Sequence, residues 1–152
     1  MGDVVYTTMT EGNLSTQFQA ARIVDTCVAY RTRRLSRMMT RLYNDRLDSA
    51  GINVAEMNLL AAIAASGRVQ PTDLVDAMEI EKSTMSRNLR RLELRGLVSS
   101  EPYPEGRGVL VTLTDSGEAT LMDAIPLWRD AQRSASELLV GFMSATHEGG
   151  PE

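Results

Sequence analysis

Apolar residues recur at helical spacing along most of the chain, in two long segments that flank three short ones. The long segments are residues 16–50 and 115–146, and Pro126 should kink the second or break it into two helices. Each carries more apolar surface than one small domain can cover, so we predict that they form a dimerisation platform with a second copy of the chain. A first helix folded back on its own domain is the alternative. Residues 1–15 are predicted to be a loose arm and residues 147–152 a polar tail.

The short segments open with two helices whose starts are marked in the sequence. Asn53 and Glu56 fit a capping box, and Ile52 and Met57 occupy the positions of a hydrophobic staple. Pro71 suits the first position of the next helix, where its missing N–H is not needed. A short link then leads into a third helix whose outer side is basic. Two short helices joined in this way are typical of a helix-turn-helix.

The third short helix is predicted over residues 81–95, and Gly96 ends it. Met85, Leu89 and Leu92 fall on one narrow stripe, which is the side that this helix would bury. The opposite side offers only hydroxyl and guanidinium groups, from Ser83, Thr84, Arg87, Arg90 and Arg91. A DNA major groove admits such a helix, because these groups meet phosphates and the acceptor edges of guanine. A solvated helix whose arginines face water is the alternative, and the neighbouring elements favour DNA binding over it.

A β-hairpin is predicted to follow, with strands at Leu97–Ser100 and Val109–Leu113. The connection, Glu101–Gly108, is too long and too rich in proline and glycine for a tight turn, so it should project as a wing. Arg107, between two glycines, would enter a minor groove or bind phosphate. The predicted fold is therefore mainly α with a small β-hairpin wing (α+β). Residues 51–114 form a winged helix-turn-helix lobe on the helical dimerisation platform.

The charge distribution favours a polyanionic partner more than the net charge of −4 does. Between Lys82 and Arg107 the chain has six cations and three carboxylates. An acidic protein therefore carries a local basic region, which is where nucleic acid would bind.

Other classes of function lack the residues that they need. The single cysteine excludes an intrachain disulfide and a thiolate metal cage, and the single histidine, His147, leaves histidine triads and multi-histidine metal sites nearly out of reach. We find no nucleophile paired with a base and no cofactor fingerprint, so we expect neither an enzyme nor a bound cofactor or metal. No leader opens the chain and no apolar run approaches about 18 residues, which predicts a cytoplasmic protein without a membrane span.

The order of these elements and the residues in them resemble the MarR family of bacterial transcriptional regulators. The specific matches are residues 81–98, residues 111–114 and Gly117, and the weaker ones are residues 41–43, 126–128 and 131–132. The similarity covers about residues 24–143. It implies a winged helix-turn-helix on a helical homodimer, which binds a pseudo-palindromic operator in double-stranded DNA and usually represses transcription.

The resemblance also implies which side chains contact DNA. The residues that match the base- and phosphate-contacting positions of the family's recognition helix are Ser83, Thr84, Ser86, Arg87, Asn88 and Arg91. Thr72 resembles a backbone-contacting position, and Lys82 and Arg90 lie on the basic side of the recognition helix. Arg107 matches the wing-tip arginine of the family's Asp-x-Arg signature, which reads Glu105-Gly106-Arg107 here, and Ser100 stands where an arginine is frequent.

Ligands or oxidants loosen DNA binding in this family. The resemblance therefore implies a pocket for a small aromatic or other apolar effector between the dimer helices and the DNA-binding lobe, lined by Met39, Tyr43, Met57 and Trp128. Ordinary core packing is the alternative for each of these residues. Cys27 also has two interpretations, a small buried hydrophobic residue or an oxidant sensor.

Two functions stay open on the sequence alone. A DNA-binding repressor is favoured, and a winged helix that binds protein is the alternative, because a fold does not fix a function. A protein-binding version would expose apolar anchor residues, whereas the predicted outer side offers serine, threonine and arginine.

Overall fold

The computed structural model describes residues 11–147, and within that range it is mainly helical with one β-hairpin, as predicted. The elements are α1 (Glu11–Thr26), α2 (Val28–Leu47), a 3₁₀ turn (Asp48–Ala50), α3 (Val54–Ser66), α4 (Pro71–Met78), α5 (Lys82–Leu94), β1 (Val98–Pro102), β2 (Val109–Leu113) and α6 (Asp115–His147).

The apolar core lies where α3, α4, α5 and the hairpin meet. Its fully buried side chains are Leu47, Leu59, Leu60, Ile63, Leu74, Met85, Leu92 and Val111. Leu47 comes from the end of α2, and Leu121 and Ala124 join the core from the first turns of α6. The short central elements thus form one unit, and the two long helices each contribute side chains to its core.

The helix starts follow the local rules that the sequence suggested. At α3 the Asn53 side chain accepts a hydrogen bond from the Glu56 N–H at 2.9 Å, and Glu56 accepts one from the Asn53 N–H at 3.1 Å, which completes the predicted capping box. Pro71 is in the first turn of α4, and three residues separate α4 from α5. The predicted helix-turn-helix is therefore present.

The hairpin is longer on its first side than the sequence suggested. Strand β1 runs to Pro102 instead of Ser100, in antiparallel register with β2, from Val98 opposite Leu113 to Pro102 opposite Val109. Proline is tolerated there because β1 is an edge strand and its outer side makes no ladder bonds. The other edge of β2 pairs with Val69, from the link between α3 and α4, through two backbone hydrogen bonds between Val69 and Val111. This bridge fixes the hairpin to the helices.

The first helical segment differs from the prediction in two ways. Helix α1 begins at Glu11, so residues 11–15 are helical and not part of a loose arm; the rest of that predicted arm and residues 148–152 lie outside the described residues. Gly12 and other weak helix formers are tolerated because the first turn lacks intrahelical partners for its N–H groups in any case. The single predicted helix is also interrupted at Cys27, whose ψ of 111° is extended. Four β-branched residues flank it, at positions 23, 24, 26 and 28, and these lower helix propensity.

Helix α6 is one helix through Pro126, so the predicted division into two helices is wrong. Pro126 is exposed, and the Met122 carbonyl that loses its N–H partner lies on the solvent side, where water can satisfy it. The cost of the proline is thus small enough for the flanking turns to continue the helix.

Helices α2 and α6 pack against each other along much of their length. The Tyr43 hydroxyl donates to the Gln132 carboxamide oxygen, and Arg46 forms an ion pair with Asp130. Burial raises the pKa of the Tyr43 phenol above its usual value, so it stays protonated at neutral pH and can act as this donor. These polar links fix the register of the two long helices.

Gly117, in the first turn of α6, packs directly against the backbone of Leu97, which connects α5 to β1. A Cβ atom on Gly117 would lie 1.9 Å from the Leu97 carbonyl oxygen. The α6 N-terminus can therefore pack on the chain that connects α5 to β1 only because this residue has no side chain.

We predict that Gly117→Ala destabilises the fold by about 3 kcal/mol, because backbone must move to admit the methyl group. Gly141→Ala is the matched control in the same helix, since no atom lies within 4 Å of the added Cβ. The control should gain about 0.5–1 kcal/mol from better helix propensity. Urea unfolding of all three proteins at one protein concentration measures the difference; equal stability of the two variants would contradict the close packing.

Candidate nucleic-acid interface

Helix α5 presents two chemically different sides. Met85, Leu89 and Leu92 are buried in the core, as their spacing predicted. Of the ten residues predicted to bind DNA, eight are exposed: Thr72, Lys82, Ser83, Ser86, Arg87, Arg90, Arg91 and Arg107. The remaining two, Thr84 and Asn88, are half-buried. Nine of the ten belong to α4 and α5, and Arg107 alone is on the hairpin.

The N-terminal turn of α5 is suited to an anion. Its capping residue, Glu81, makes no side-chain hydrogen bond to the helix, and the turn itself contains no acidic residue. The Thr84 N–H donates to the Glu81 carbonyl at 2.9 Å, whereas the N–H groups of Lys82 and Ser83 come too early in the helix to have a helix partner. A phosphate placed there would meet backbone donors, the positive end of the helix dipole and an ammonium group.

Arg87 is partly oriented before any ligand binds. Its Nη2 donates to Thr84 Oγ1 at 3.2 Å, one helical turn earlier. This bond limits the rotamers of a long side chain, which reduces the entropy that is lost when the guanidinium binds an acceptor. Arg87 and Thr84 thus act as one hydrogen-bonding group on the outer side of α5.

The wing tip is held by an aromatic residue that the sequence interpretation did not single out. A Cβ on Gly106 would lie 3.3 Å from the Tyr103 ring, so the loop backbone at Gly106 packs closely against that ring. The Tyr103 N–H donates to the Gly108 carbonyl at 3.1 Å, and Gly108 has a φ of +113°, which a side chain would strain. Arg107 is therefore presented by a closed loop. In the sequence, the short separation of Tyr103 and Gly106 within the wing loop was the signal that could have indicated this contact.

The base of the wing is bonded to the end of α5. Thr114 Oγ1 donates to the Gly96 carbonyl at 2.6 Å and accepts from the Gly117 N–H at 3.0 Å, so one hydroxyl joins α5, β2 and α6. Closer to the wing, Ser100 donates to the Glu93 carboxylate. These bonds link the hairpin to α5, and Arg107 is carried on that hairpin.

A groove of about 690 Å³ separates α5 from α4 and the hairpin. Thr72, Lys82, Ser86 and Arg90 line it, together with apolar residues such as Val75 and Val109. The side of α5 that faces α4 and the hairpin therefore borders an open groove.

The residues predicted to line an effector pocket are placed in and around the core. Met57 is buried, Tyr43 and Trp128 pack against the core, and Met39 is half-buried on α2. A second cavity, of about 250 Å³, lies between α2 and α6 and is lined by Arg31, Arg34, Leu35, Met38, Leu138 and Phe142. Neither this cavity nor the groove beside α5 includes the four predicted residues. Cys27 is half-buried at the junction of α1 and α2.

Within residues 11–147 no three side chains of His, Cys, Asp or Glu are grouped to hold a metal ion. The helices of the same range include none with the length and apolar content to cross a bilayer.

Comparison with known proteins identifies relatives of this winged arrangement. Residues 50–107 match the model of the MarR family. The multiple antibiotic resistance protein MarR of Escherichia coli is 34% identical over 80 residues, which are 52% of this chain and 56% of that protein. This chain thus spans only about half the length of that relative. The HTH-type transcriptional repressor NicR of Pseudomonas putida is 28% identical over 119 residues, or 78% of this chain and 73% of that repressor.

Solved structures extend the similarity beyond the lobe. The transcriptional regulator MosR of M. tuberculosis, solved in complex with DNA, superimposes with a TM-score of 0.65 at 26% identity. The superposition covers 82% of this chain and 99% of that one. The likeness therefore includes the long helices as well as the winged helix-turn-helix.

Proposed function

We infer that the chain belongs to the MarR family, and from that premise we propose that it is a homodimeric transcriptional regulator that binds a pseudo-palindromic operator in double-stranded DNA. We propose further that it acts as a repressor and that a small-molecule effector or an oxidant releases it. It would act in the cytoplasm, where its operator lies.

The observation that carries this proposal is the division of α5 into a buried apolar stripe and an outer polar side. Burial of Met85, Leu89 and Leu92 fixes the rotation of the helix, so the hydroxyl and guanidinium groups face outward together. Side chains of this kind match the acceptor edges of guanine and the phosphates on either side of a major groove. An outer side built for a protein partner would instead carry several apolar anchors, whereas α5 exposes one large apolar side chain, Leu94, at its last residue.

Exposed apolar residues on the long helices support the homodimer. Val28 on α2 is 69% exposed and Val140 on α6 is 66% exposed, and other exposed large apolar residues are Phe18 and Ile23 on α1 and Leu139 and Met143 on α6. A surface of this kind marks an interface, because soluble proteins rarely leave large apolar side chains grouped in water. A two-fold dimer through these helices would place two recognition helices about 34–36 Å apart, in successive major grooves.

The effector site is proposed to lie beside Met39, Tyr43, Met57 and Trp128, between the long helices and the lobe. A ligand there would touch both parts of the molecule, since Tyr43 on α2 and Trp128 on α6 both border the core of the lobe. Cys27 is proposed as an oxidant-sensitive thiol, and its half-buried position at a helix junction supports this.

The proposal is tested by selecting genomic fragments with the purified full-length protein. We expect enrichment of a short inverted repeat, bound by a dimer with steep salt dependence. The dimer is checked independently by sedimentation. If a dimeric protein enriches no sequence, the DNA-binding proposal is overturned and a protein partner becomes the better account.

We predict that Arg87→Ala weakens binding to the recovered operator by about 1–3 kcal/mol and relaxes the preference at one base pair, if its guanidinium reads a guanine. Arg87→Lys is the matched control, because it keeps the charge and removes the two-pronged donor geometry. Binding is measured on the operator and on each single-base variant of it. An equal loss on every sequence would reduce Arg87 to a phosphate contact.

We predict that Arg107→Ala lowers the slope of log affinity against log salt concentration by about one unit, because one phosphate contact is lost from the wing. The measurement is a salt titration of the wild type and the variant on the same operator. Arg129→Ala, at an exposed position on α6 outside the lobe, serves as the control for removal of an arginine charge. An unchanged slope for Arg107→Ala would place the wing tip away from the backbone.

A further inference from the structure

The C-terminal end of the recognition helix is held by one guanidinium. Arg95 follows directly after α5 and turns back toward the start of α3. Its Nη1 lies 3.1 Å from Glu56 Oε2, and its Nη2 donates to the Gly51 carbonyl at 2.7 Å. The Arg95 guanidinium thus joins the end of α5 to Gly51, which precedes α3, and to Glu56, which lies in the first turn of α3.

Glu56 is an unusual partner because it is buried. Its side chain is only 7% exposed, and Glu56 is the one buried charged residue among the described residues. The same Oε2 atom that lies near Arg95 also accepts the Asn53 N–H at 3.1 Å. A buried carboxylate is stable only when its oxygens are paired, so Arg95 and the α3 cap hold Glu56 in one orientation.

The start of α3 is in turn bonded to α2. Asn44 Oδ1 accepts a hydrogen bond from the Val54 N–H at 2.8 Å, and Leu47, one turn later on α2, is fully buried. The contacts therefore run without a gap from α2 through the cap of α3 to the end of α5. Each step is a hydrogen bond or an ion pair with defined geometry.

We propose that Arg95 is a positioning residue for DNA recognition, which sets the angle of α5 relative to α2 through Glu56 and Gly51. This inference rests on the proposed function. Because α2 belongs to the dimer platform in that function, the angle at Arg95 determines how far apart the two recognition helices lie. Arg95 does this without touching DNA, since both prongs of its guanidinium are already bonded within the protein.

Three roles for Arg95 lead to different results. A positioning residue changes which operator spacing is preferred and leaves the salt dependence unchanged. A phosphate contact lowers the salt slope by about one unit. A residue needed only for stability lowers the active fraction, and the protein that remains folded keeps its spacing preference.

The experiment measures binding of Arg95→Ala to the selected operator and to two variants with the half-sites one base pair closer or farther apart. We expect a loss of about tenfold on the selected spacing and a much smaller loss on one altered spacing, because the recognition helices are no longer held at one separation. Salt titration should give the wild-type slope. Stoichiometric titration defines the active fraction, and Arg129→Ala is the control.

Glu56→Gln tests the other half of the pair. Glutamine keeps the size of the side chain and an oxygen for the Asn53 N–H, and it removes the charge that faces Arg95. We expect the same change in spacing preference, and the double variant should be no weaker than Arg95→Ala alone, because both changes interrupt one linkage. If Arg95→Ala does not fold, Arg95→Lys and Glu56→Gln supply the test, since lysine keeps the charge without the two-pronged reach.

The inference is overturned by unchanged binding of the folded variants, by an equal loss at all three spacings, or by a lower salt slope. Failure of the proposed function gives a different result, in which the wild-type protein itself recovers no operator. The two outcomes are therefore separable in one series of measurements.

Discussion

Burial of one narrow apolar stripe on α5 is the constraint from which the rest of the interface follows. Met85, Leu89 and Leu92 are held in a core built from α3, α4 and the hairpin, and this fixes the rotation of the helix about its axis. Rotation by a single residue would move the arginines through about 100° and turn some of them toward the core. Hydrophobic packing therefore decides which side of α5 is polar, and the hydrogen bond from Arg87 to Thr84 then orients one of the guanidinium groups on that side.

The same lobe shows how an acidic protein can present a basic surface. The cations of α5 lie on its exposed side, while one nearby carboxylate, Glu93, accepts a hydrogen bond from Ser100 and another, Glu56, is buried against Arg95. The hydrogen bond from Ser100 to Glu93 and the ion pair of Arg95 with Glu56 stabilise the lobe. They also engage two carboxylates that would otherwise repel a polyanion. Local arrangement, and not net charge, decides the sign of the surface that a ligand meets.

The sequence was sufficient for features that depend on neighbours along the chain. The capping box at Asn53, the stripe on α5 and the existence of the hairpin are local patterns, and the structure confirms them. It was insufficient where distant residues decide the outcome. Three contacts are visible only in the folded chain: the bridge between Val69 and Val111, the contact of Gly106 with the Tyr103 ring, and the ion pair of Arg95 with Glu56. Helix propensity and packing compete at two sites, with opposite results. The helix is interrupted at Cys27, whereas α6 continues through Pro126.

Helix α6 has a mechanical consequence because of its length. It begins against Leu97, at the base of the wing, and continues as one helix of 33 residues to the region of exposed apolar side chains. At a rise of 1.5 Å per residue it is about 50 Å long, so a rotation of only about 5° at one end displaces the other by about 4 Å. In the proposed dimer the helix would therefore act as a lever, because a slight angular adjustment where two copies meet would become a shift comparable to the rise of one base pair at the base of the wing.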